Sequence, residues 1–376
     1  MLMNTVEIPS RESWKQDLAP YLERAPRRSL GQIGSAALPY LAVWVLAVPI
    51  QPSAPIAIAL GLIATVFISR TYSLFHDTTH NSLFESRRAN SGWGHFLGFL
   101  LWTPYRWWQR QHAIHHAHTG NLDHRGVGEI NTMTVAEYER ASRPRRMGYR
   151  LYRNPFLLLL LGPSLVFLFE RRFPQRGMTP RILLSVAVTN LALVAWALLW
   201  ISLLGVQTFL LIQVTVMVAG GAIAAWLLYI QHQYEDTYYR QPGDWEFELA
   251  ALQGSSYLHL ARPLAWMVGN ANFHHVHHLS AKIPNYNLRA AHESHPMFRR
   301  TPVITLRSGF SAFRLKLWDT DAQRLVSFSA AAARRPKSGP LGPLLAGPRT
   351  APASEPPAGR MVHQAAHAAE DRTLKH

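Results

Sequence analysis

The chain has no cysteine among its 376 residues. Disulfide bonds, cysteine-ligated zinc, iron–sulfur clusters and thiol nucleophiles are therefore excluded together. Charged residues are also scarce, at 16% of the chain, against roughly 25% in soluble domains. Basic residues outnumber acidic ones by 38 to 22, for a formal net charge of +16. The low charged fraction is atypical of a soluble enzyme. The excess of basic residues predicts an acidic partner, such as an anionic membrane surface.

Two long segments carry no charged residue at all. One lies between Arg28 and Arg70, and the other between Arg181 and Glu235. Because a membrane-spanning helix needs about 20 apolar residues, each segment has room for two spans and a short turn. The four predicted spans are Ile33–Ile50, 55–75, Ile182–Leu204 and Phe209–Ile230. We expect the turns at residues 51–54 and 205–208.

The positions of the basic residues predict the topology. Neither predicted turn contains lysine or arginine, whereas the N-terminal arm (residues 1–30) and the long connecting regions are basic, so the positive-inside rule places those regions in the cytoplasm. The expected fold is an all-α membrane protein over residues 31–328, with four transmembrane helices as two hairpins. Residues 76–181 and 231–328 would form a mostly helical cytoplasmic cap. Residues 329–376, rich in Ala, Pro, Gly and Arg, are expected to be a disordered tail.

Two shorter apolar segments do not qualify as spans. Trp93–Trp102 is too short to cross a bilayer and is expected to be interfacial or re-entrant. Phe156–Phe169 is interrupted by Gly162 and Pro163, so we expect it to lie in the interface or to dip into the bilayer.

Histidines form three clusters with helical spacing. The clusters are His76 with His80; His112, His115 and His116; and His274, His277 and His278. Residues three or four apart share one face of a helix, so each cluster presents two or three imidazoles in one direction. Spans two and four both run toward the predicted cytoplasmic side, which brings His76 and His232 near the other clusters.

Eight clustered imidazoles are too many for one ion, because zinc takes four ligands. They suit two ions of four or five ligands each, with His232 as the candidate for a ninth ligand. Imidazole favours Zn, Cu, Fe or Ni over Mg or Ca. The sequence lacks the HExxH motif of zinc proteases and the Glu-x-x-His pairs of soluble di-iron bundles. Isolated histidines such as His95, His259 and His292 are expected to be ordinary surface or core residues.

The three clusters resemble the histidine boxes of the membrane-bound fatty acid desaturases, and most nearly those of bacterial-type acyl-lipid omega-6 desaturases. The similarity covers roughly residues 30 to 300. It includes the motifs at residues 120–126, 149–155, 231–238, 254–256 and 269–286. One departure lies in the first box, where Thr78 and Thr79 replace the usual Cys-Gly. Both histidines are kept, so the departure bears on packing and chain-position selectivity rather than on ligation.

The resemblance implies an oxidoreductase with two Fe ions. Such an enzyme uses O2 and electrons from an external donor such as ferredoxin to remove two hydrogens from adjacent carbons of a membrane lipid's acyl chain. It would be a multi-pass protein of the bacterial cytoplasmic membrane, with its site on the cytoplasmic side. The implied iron ligands are His76, His80, His112, His115, His116, His232, His274, His277 and His278.

Acidic residues near the clusters are candidates for a supporting role. Histidine ligands usually donate their second ring N–H to a carboxylate or a carbonyl. The carboxylates closest in sequence to the clusters are Asp77, Asp123, Glu235 and Asp236.

Arginines are dense after the second cluster. They are Arg140, Arg143, Arg145, Arg146, Arg150 and Arg153, followed by Arg171, Arg172, Arg176 and Arg181. Because they flank membrane segments, contact with anionic lipid accounts for them and nucleic-acid binding is disfavoured. Docking of an acidic electron carrier is a further hypothesis, since the chain has no flavin, nicotinamide or haem fingerprint.

The sequence leaves two alternative functions to consider. A hydroxylase, a ketolase or an alkane-type monooxygenase can use the same ligands, which do not decide the reaction by themselves. A metal transporter is disfavoured because the histidines cluster outside the predicted spans.

Overall fold

The computed structural model describes residues 10–334, so residues 1–9 and most of the predicted disordered tail lie outside it. Its α-helices are α1 (Arg11–Leu18), α2 (Pro26–Ile50), α3 (Ala54–Thr79), α4 (Arg87–Leu100), α5 (Tyr105–His118), α6 (Val135–Arg140), α7 (Arg143–Tyr152), α8 (Gly162–Leu168), α9 (Pro180–His232), α10 (Phe247–Gln253), α11 (Arg262–Met267), α12 (His274–Leu279), α13 (Asn285–Ser294), α14 (Leu306–Ser311) and α15 (Phe328–Ala333). Its strands are β1 (Tyr257–Leu258), β2 (Val303–Ile304), β3 (Leu317–Asp319) and β4 (Arg324–Val326). A π-helical turn covers Leu157–Leu161, and 3₁₀ turns cover Ala19–Leu22, Glu170–Arg172, Pro242–Asp244, Pro296–Arg300 and Ala312–Arg314.

Helices α2 and α3 form the first predicted hairpin. α2 begins at Pro26, several residues before the predicted start, because a proline in the first helical turn leaves no extra N–H unsatisfied. It ends where Gln51 takes a left-handed conformation with φ of 42°. α3 begins at Ala54 and continues to Thr79, so His76 lies in its last turn. Both predicted segments are therefore apolar helices, each slightly longer than expected.

Helix α9 reverses direction at Gly205. This residue has φ 77° and ψ 161°, while the rest of Pro180–His232 is helical. In a straight helix, Trp196 and Phe209 would be about 20 Å apart. Their rings instead lie 5.3 and 5.8 Å from the ring of Trp44, so the arms at residues 180–204 and 206–232 pack side by side. The hairpin turn predicted at 205–208 thus consists of a single non-helical residue.

Three helices of residues 10–334 are long and apolar enough to cross a membrane, namely α2, α3 and α9. The pair Arg143–Tyr152 and Leu157–Arg172, bent by 67°, would raise the number to four if it formed one span. This segment contains the predicted interfacial stretch 156–169, in which several leucines are exposed.

Segment 93–102, predicted to be interfacial or re-entrant, is the C-terminal part of α4 and the turn after it. Leu100 is buried in the same apolar cluster as Trp44 and Ala64, which belong to the first hairpin. A guanidinium of Arg172 donates to the carbonyl oxygen of Trp102, and Arg171 donates to Thr103 Oγ1 at 3.0 Å. Backbone N–H groups of residues 101–103 bond to the carbonyls of Leu97, Gly98 and Phe99 at the end of α4, and the two arginines hold the turn that follows.

The cap differs from the all-helical expectation by two small sheets. β1 pairs in parallel with β2, and β3 pairs antiparallel with β4. Strands of two or three residues are too short to show an alternating pattern, so the sequence does not reveal them. Residues 329–333, assigned to the disordered tail, belong to α15.

Arg153 is buried at 1% exposure, which corrects its assignment to the basic surface. It donates to Tyr229 OH at 3.0 Å and to Gln233 Oε1 at 2.8 Å. None of the hydrogen bonds it makes to other described residues involves a carboxylate, so phenol and amide oxygens hold this cation. Arg153 therefore joins the cap to the end of α9 beside His232.

We predict that Gly205→Ala lowers the free energy of unfolding by about 1–3 kcal/mol, because its backbone conformation is essentially restricted to glycine. Gly31→Ala is the matched control. An added Cβ meets nothing within 4 Å at either position, but Gly31 lies in regular helix. Thermal unfolding in detergent measures both variants. Equal effects of the two substitutions would contradict the hairpin model.

Candidate metal centre

Five histidines from three helices form the first of two groups. His76 and the adjoining His80 come from the end of α3, two from α5, and one from α12. Their potential ligand nitrogens all lie within 4.8 Å of one another. The members of this five-histidine group are His76, His80, His112, His116 and His277.

A second group of four buried histidines lies beside the first. Its members are His115, His232, His274 and His278, again with ligand nitrogens within 4.8 Å of one another. The two groups adjoin, since the rings of His116 and His278 stack with centroids 4.2 Å apart. Helices α5 and α12 contribute to both groups, because neighbouring residues on a helix face different directions.

The contacts between imidazoles are those expected of ligands on a shared ion. Nε2 of His116 lies 3.0 Å from Nε2 of both His112 and His277. One nitrogen carries at most one proton, so it cannot donate to both neighbours. Two nitrogens bound at right angles to one ion, each at about 2.1 Å, would lie about 3.0 Å apart. The same spacing joins His232 and His274 in the second group.

Burial keeps these rings in the form that binds metal. Removal from water lowers the pKa of His112, His116 and His277 well below 6.5, and the neighbouring histidines lower it further. A metal ligand must be neutral imidazole, so these rings need no deprotonation at neutral pH.

Several ring nitrogens lack a hydrogen-bond partner among the described residues. They are Nε2 of His80, Nε2 of His278, and both nitrogens of His115. A buried polar atom without a partner is costly, and a coordinated cation would remove that cost. The donor set therefore fits two metal ions bound by nitrogen ligands.

The orientation of His232 depends on a backbone group that sequence reasoning missed. Its Nδ1 lies 2.8 Å from the carbonyl oxygen of Gly254, which places the proton on Nδ1. The unprotonated Nε2 then faces the other three histidines of the second group. The motif at residues 254–256 belongs to the resemblance, but nothing in its composition indicates this contact.

Only one of the four predicted acidic partners reaches the histidines. Asp77 is buried, and its Oδ1 lies 3.7 Å from His76 Nδ1. Its Oδ2 accepts hydrogen bonds from the backbone and side-chain N–H groups of Asn285, at 2.8 and 2.9 Å. Asn285 is also hydrogen-bonded to Gln32 of α2, so one buried network links α2, the first histidine cluster and α13.

The other three acidic residues lie elsewhere. Glu235 forms an ion pair with Arg324 at 3.0 Å, and Asp123 and Asp236 are exposed. Helix α9 ends at His232, and Glu235 and Asp236 lie in the exposed segment that follows it.

Two histidines that adjoin the clusters in sequence, His275 and His118, do not face the site. His275 is buried, and its Nε2 lies 2.9 Å from His292 Nδ1, away from both groups. His292, expected to be an ordinary residue, is thus the partner of His275. His118 of α5 bonds instead to the backbone carbonyl of Ile114.

An elongated cavity of about 580 Å³ opens onto histidines of both groups. It runs between α3, the second arm of α9, α8 and the buried end of α4. Its wall includes His76 and His112 at one end, and Leu101, Val216 and Met217 in the apolar layer. A long apolar ligand could therefore lie with part of its length beside the imidazoles.

Comparison with known proteins agrees with this geometry. A model of the fatty acid desaturase family matches residues 53–305. The chain is 40% identical over 331 residues to a fatty acid desaturase of Bacillus subtilis. The aligned region covers 88% of this chain and 94% of the relative.

Cyanobacterial relatives are more distant. An sn-1 oleoyl-lipid 12-desaturase of Synechocystis is 29% identical over 231 residues, 58% of this chain and 62% of the relative. An sn-1 acyl-lipid omega-3 desaturase (ferredoxin) of the same organism is 27% identical over 251 residues, 59% of this chain and 63% of the relative. The family predicted from the histidine boxes is therefore confirmed. The chain belongs to the fatty acid desaturase family, and it is an oxidoreductase of the desaturase type.

Proposed function

We propose that the protein is an O2-dependent di-iron desaturase that introduces a double bond into the acyl chain of a membrane lipid. The observation that carries the proposal is the opening of one apolar cavity onto both groups of histidines. Family membership supports acyl desaturation. Imidazole ligands are compatible with iron, and the resemblance to the family favours iron over zinc or copper.

The residues of the chain have distinct roles in this proposal. The five-histidine group would hold one iron ion and the four-histidine group the other. The ions would supply O2 activation and cleavage of unactivated C–H bonds, which side-chain acid–base groups cannot perform. The apolar wall of the cavity orients the acyl chain and excludes water. Asp77 and Asn285 hold the first histidine cluster against α13.

The proposed arrangement in the membrane has four crossings. α2, α3 and the two arms of α9 would each cross once, because the reversal at Gly205 turns α9 into a hairpin. The positive-inside rule places the cap and the histidines on the cytoplasmic side of a bacterial membrane. In that position the cavity would admit a lipid tail from the bilayer.

The electron donor is proposed to be an acidic carrier protein such as ferredoxin. One relative is named as a ferredoxin-dependent desaturase. Helix α7 presents Arg143, Arg145 and Arg150 to solvent. By contrast, Arg153, Arg171 and Arg172 bond to internal groups, so the docking surface is limited to the exposed members of the run.

The reaction is tested by expressing the chain in a host and analysing its fatty acids by gas chromatography–mass spectrometry. We expect new double bonds that require O2 and disappear in the His115→Ala variant. Hydroxylated or oxo products would favour a monooxygenase on the same scaffold instead. Metal-dependent ion flux without any lipid product would favour a transporter.

We predict that His277→Ala and His278→Ala each abolish desaturation and lower bound iron roughly by half, because these neighbours belong to different groups. The double variant should lose nearly all bound iron. His259→Ala, an exposed histidine, is the control and should retain both iron and activity. Iron is measured by mass spectrometry of the purified membrane protein. Full activity in either single variant would refute the shared centre.

We predict that reversing two charges of α7, in the variant Arg143→Glu/Arg145→Glu, slows electron transfer from ferredoxin about tenfold at low ionic strength. The salt dependence should become weaker at the same time. Reversal of two exposed arginines outside α7, Arg299→Glu/Arg307→Glu, is the control. Stopped-flow oxidation of reduced ferredoxin measures the rate, and identical salt profiles for both variants would exclude docking at α7.

A further inference from the structure

A basic cleft of about 900 Å³ opens on the cap and shares no lining residue with the histidine cavity. Helix α7, the β3–β4 hairpin and α15 contribute to its walls. Four cations line it, namely Arg150, Arg314, Lys316 and Arg324. The one carboxylate among the described lining residues, Glu235, is paired with Arg324 at 3.0 Å. The cleft therefore keeps an excess of positive charge that its own acidic residue does not balance.

Two of these cations are fixed in place by the fold. Nε of Arg150 donates to Tyr138 OH at 2.6 Å, and its guanidinium lies 4.9 Å from the centre of the Phe328 ring. Lys316 is buried, and its Nζ donates to the carbonyl oxygen of Arg153 at 2.5 Å. Burial, and then the charge of Arg153, lower the pKa of Lys316 to about 8. An anion bound in the cleft would stabilise this charged lysine.

Hydrogen bonds join the floor of the cleft to a histidine of the metal centre. The carbonyl oxygen of Leu315, which lines the cleft, accepts from the guanidinium of Arg153 at 3.1 Å and from Tyr229 OH at 2.8 Å. The same guanidinium donates to Gln233 Oε1 at 2.8 Å. Gln233 directly follows His232 in the chain. A continuous series of hydrogen bonds and covalent bonds therefore leads from the cleft to the four-histidine group.

We propose that this cleft, together with the exposed arginines of α7, docks an acidic electron carrier, and that electrons pass from it through Arg153 and Gln233 toward the four-histidine group. The inference rests on the proposed desaturase function. In that reaction O2, two electrons and two protons combine with the two hydrogens removed from the acyl chain, and two water molecules leave. Each electron comes from one reduced carrier, which is oxidised, and is passed to the metal ions.

The position of the cleft favours a carrier protein over other anions. Partners in electron transfer bind briefly through small interfaces, and complementary charge guides their encounter. Electrons also cross bonded contacts more readily than empty space. A site with fixed cations at the surface and bonded contacts to His232 meets both requirements.

A single introduced cysteine tests docking, because the chain has none of its own to compete for a label. Ser329→Cys places a spin label on the exposed rim of the cleft, and Ser294→Cys places one at the exposed end of α13 as the control. The iron-loaded enzyme, in nanodiscs of neutral lipid, is titrated with oxidised [2Fe–2S] ferredoxin. The measurement is the mobility of each label by electron paramagnetic resonance.

We expect ferredoxin to immobilise the label at residue 329 and leave the label at residue 294 unchanged, with the effect lost on adding salt. No change at residue 329, or an equal change at both residues, would overturn the inference. The same immobilisation in nanodiscs of anionic lipid without ferredoxin would assign the cleft to lipid headgroups and also overturn it.

Charge substitutions test whether docking leads to electron transfer. We expect Arg314→Glu/Ser329→Asp to slow the second-order oxidation of reduced ferredoxin about tenfold at low ionic strength, because the steering charge is lost. Arg299→Glu/Ser294→Asp makes the same change of charge at exposed positions outside the cleft and should stay within about twofold of the wild type. Equal rates in the two variants would contradict entry at the cleft.

Substitutions inside the protein test the route. Gln233→Ala and Arg153→Lys each interrupt or shorten a contact between the cleft and His232. We expect both, when loaded with iron, to lower the limiting rate at saturating ferredoxin without changing the ferredoxin concentration that gives half of it. An unchanged limiting rate would overturn the route. Absence of double bonds in every lipid would defeat the proposed function alone, because the spin labels report docking without turnover.

Discussion

The convergence of nine imidazoles in a buried space is the constraint on which the rest of the structure depends. Some of their nitrogens lie about 3.0 Å from one another, and others have no hydrogen-bond partner among the described residues, which is unfavourable by itself. Two cations at their centres would turn the same arrangement into a stable one. The helices that carry the rings must hold their relative positions closely, because a ligand nitrogen displaced by a few tenths of an ångström no longer matches a metal site.

Buried polar networks between the cap and the long apolar helices provide this precision. Asp77, Asn285 and Gln32 link three helices next to the first cluster. Arg153 links α7 to the end of α9 through Tyr229 and Gln233. Such networks are costly when only partly satisfied, so they favour a single arrangement of the helices. The apolar layer alone packs less specifically.

The apolar layer contributes the shape of the cavity. The reversal at Gly205 places the second arm of α9 beside α3, and the end of α4 packs in the same apolar cluster. A cavity is left between these elements, lined by imidazoles of both histidine groups and by apolar side chains of α3, α8 and α9. Apolar walls suit a hydrocarbon chain.

Local patterns in the sequence were sufficient to predict the long apolar helices, the family, and the clustered histidines, with His232, that the structure brings together. Hydrophobic length and helical spacing are properties of neighbouring residues. The division of the histidines into groups of five and four was decided by tertiary structure, since α5 and α12 each present two faces to different partners. The same holds for Arg153, which sequence cannot distinguish from the exposed arginines beside it. It holds also for Asp77, the one acidic neighbour that turns inward, and for Gly254, whose carbonyl orients His232. These roles depend on which surfaces of distant segments meet, and that information is absent from any single stretch of the chain.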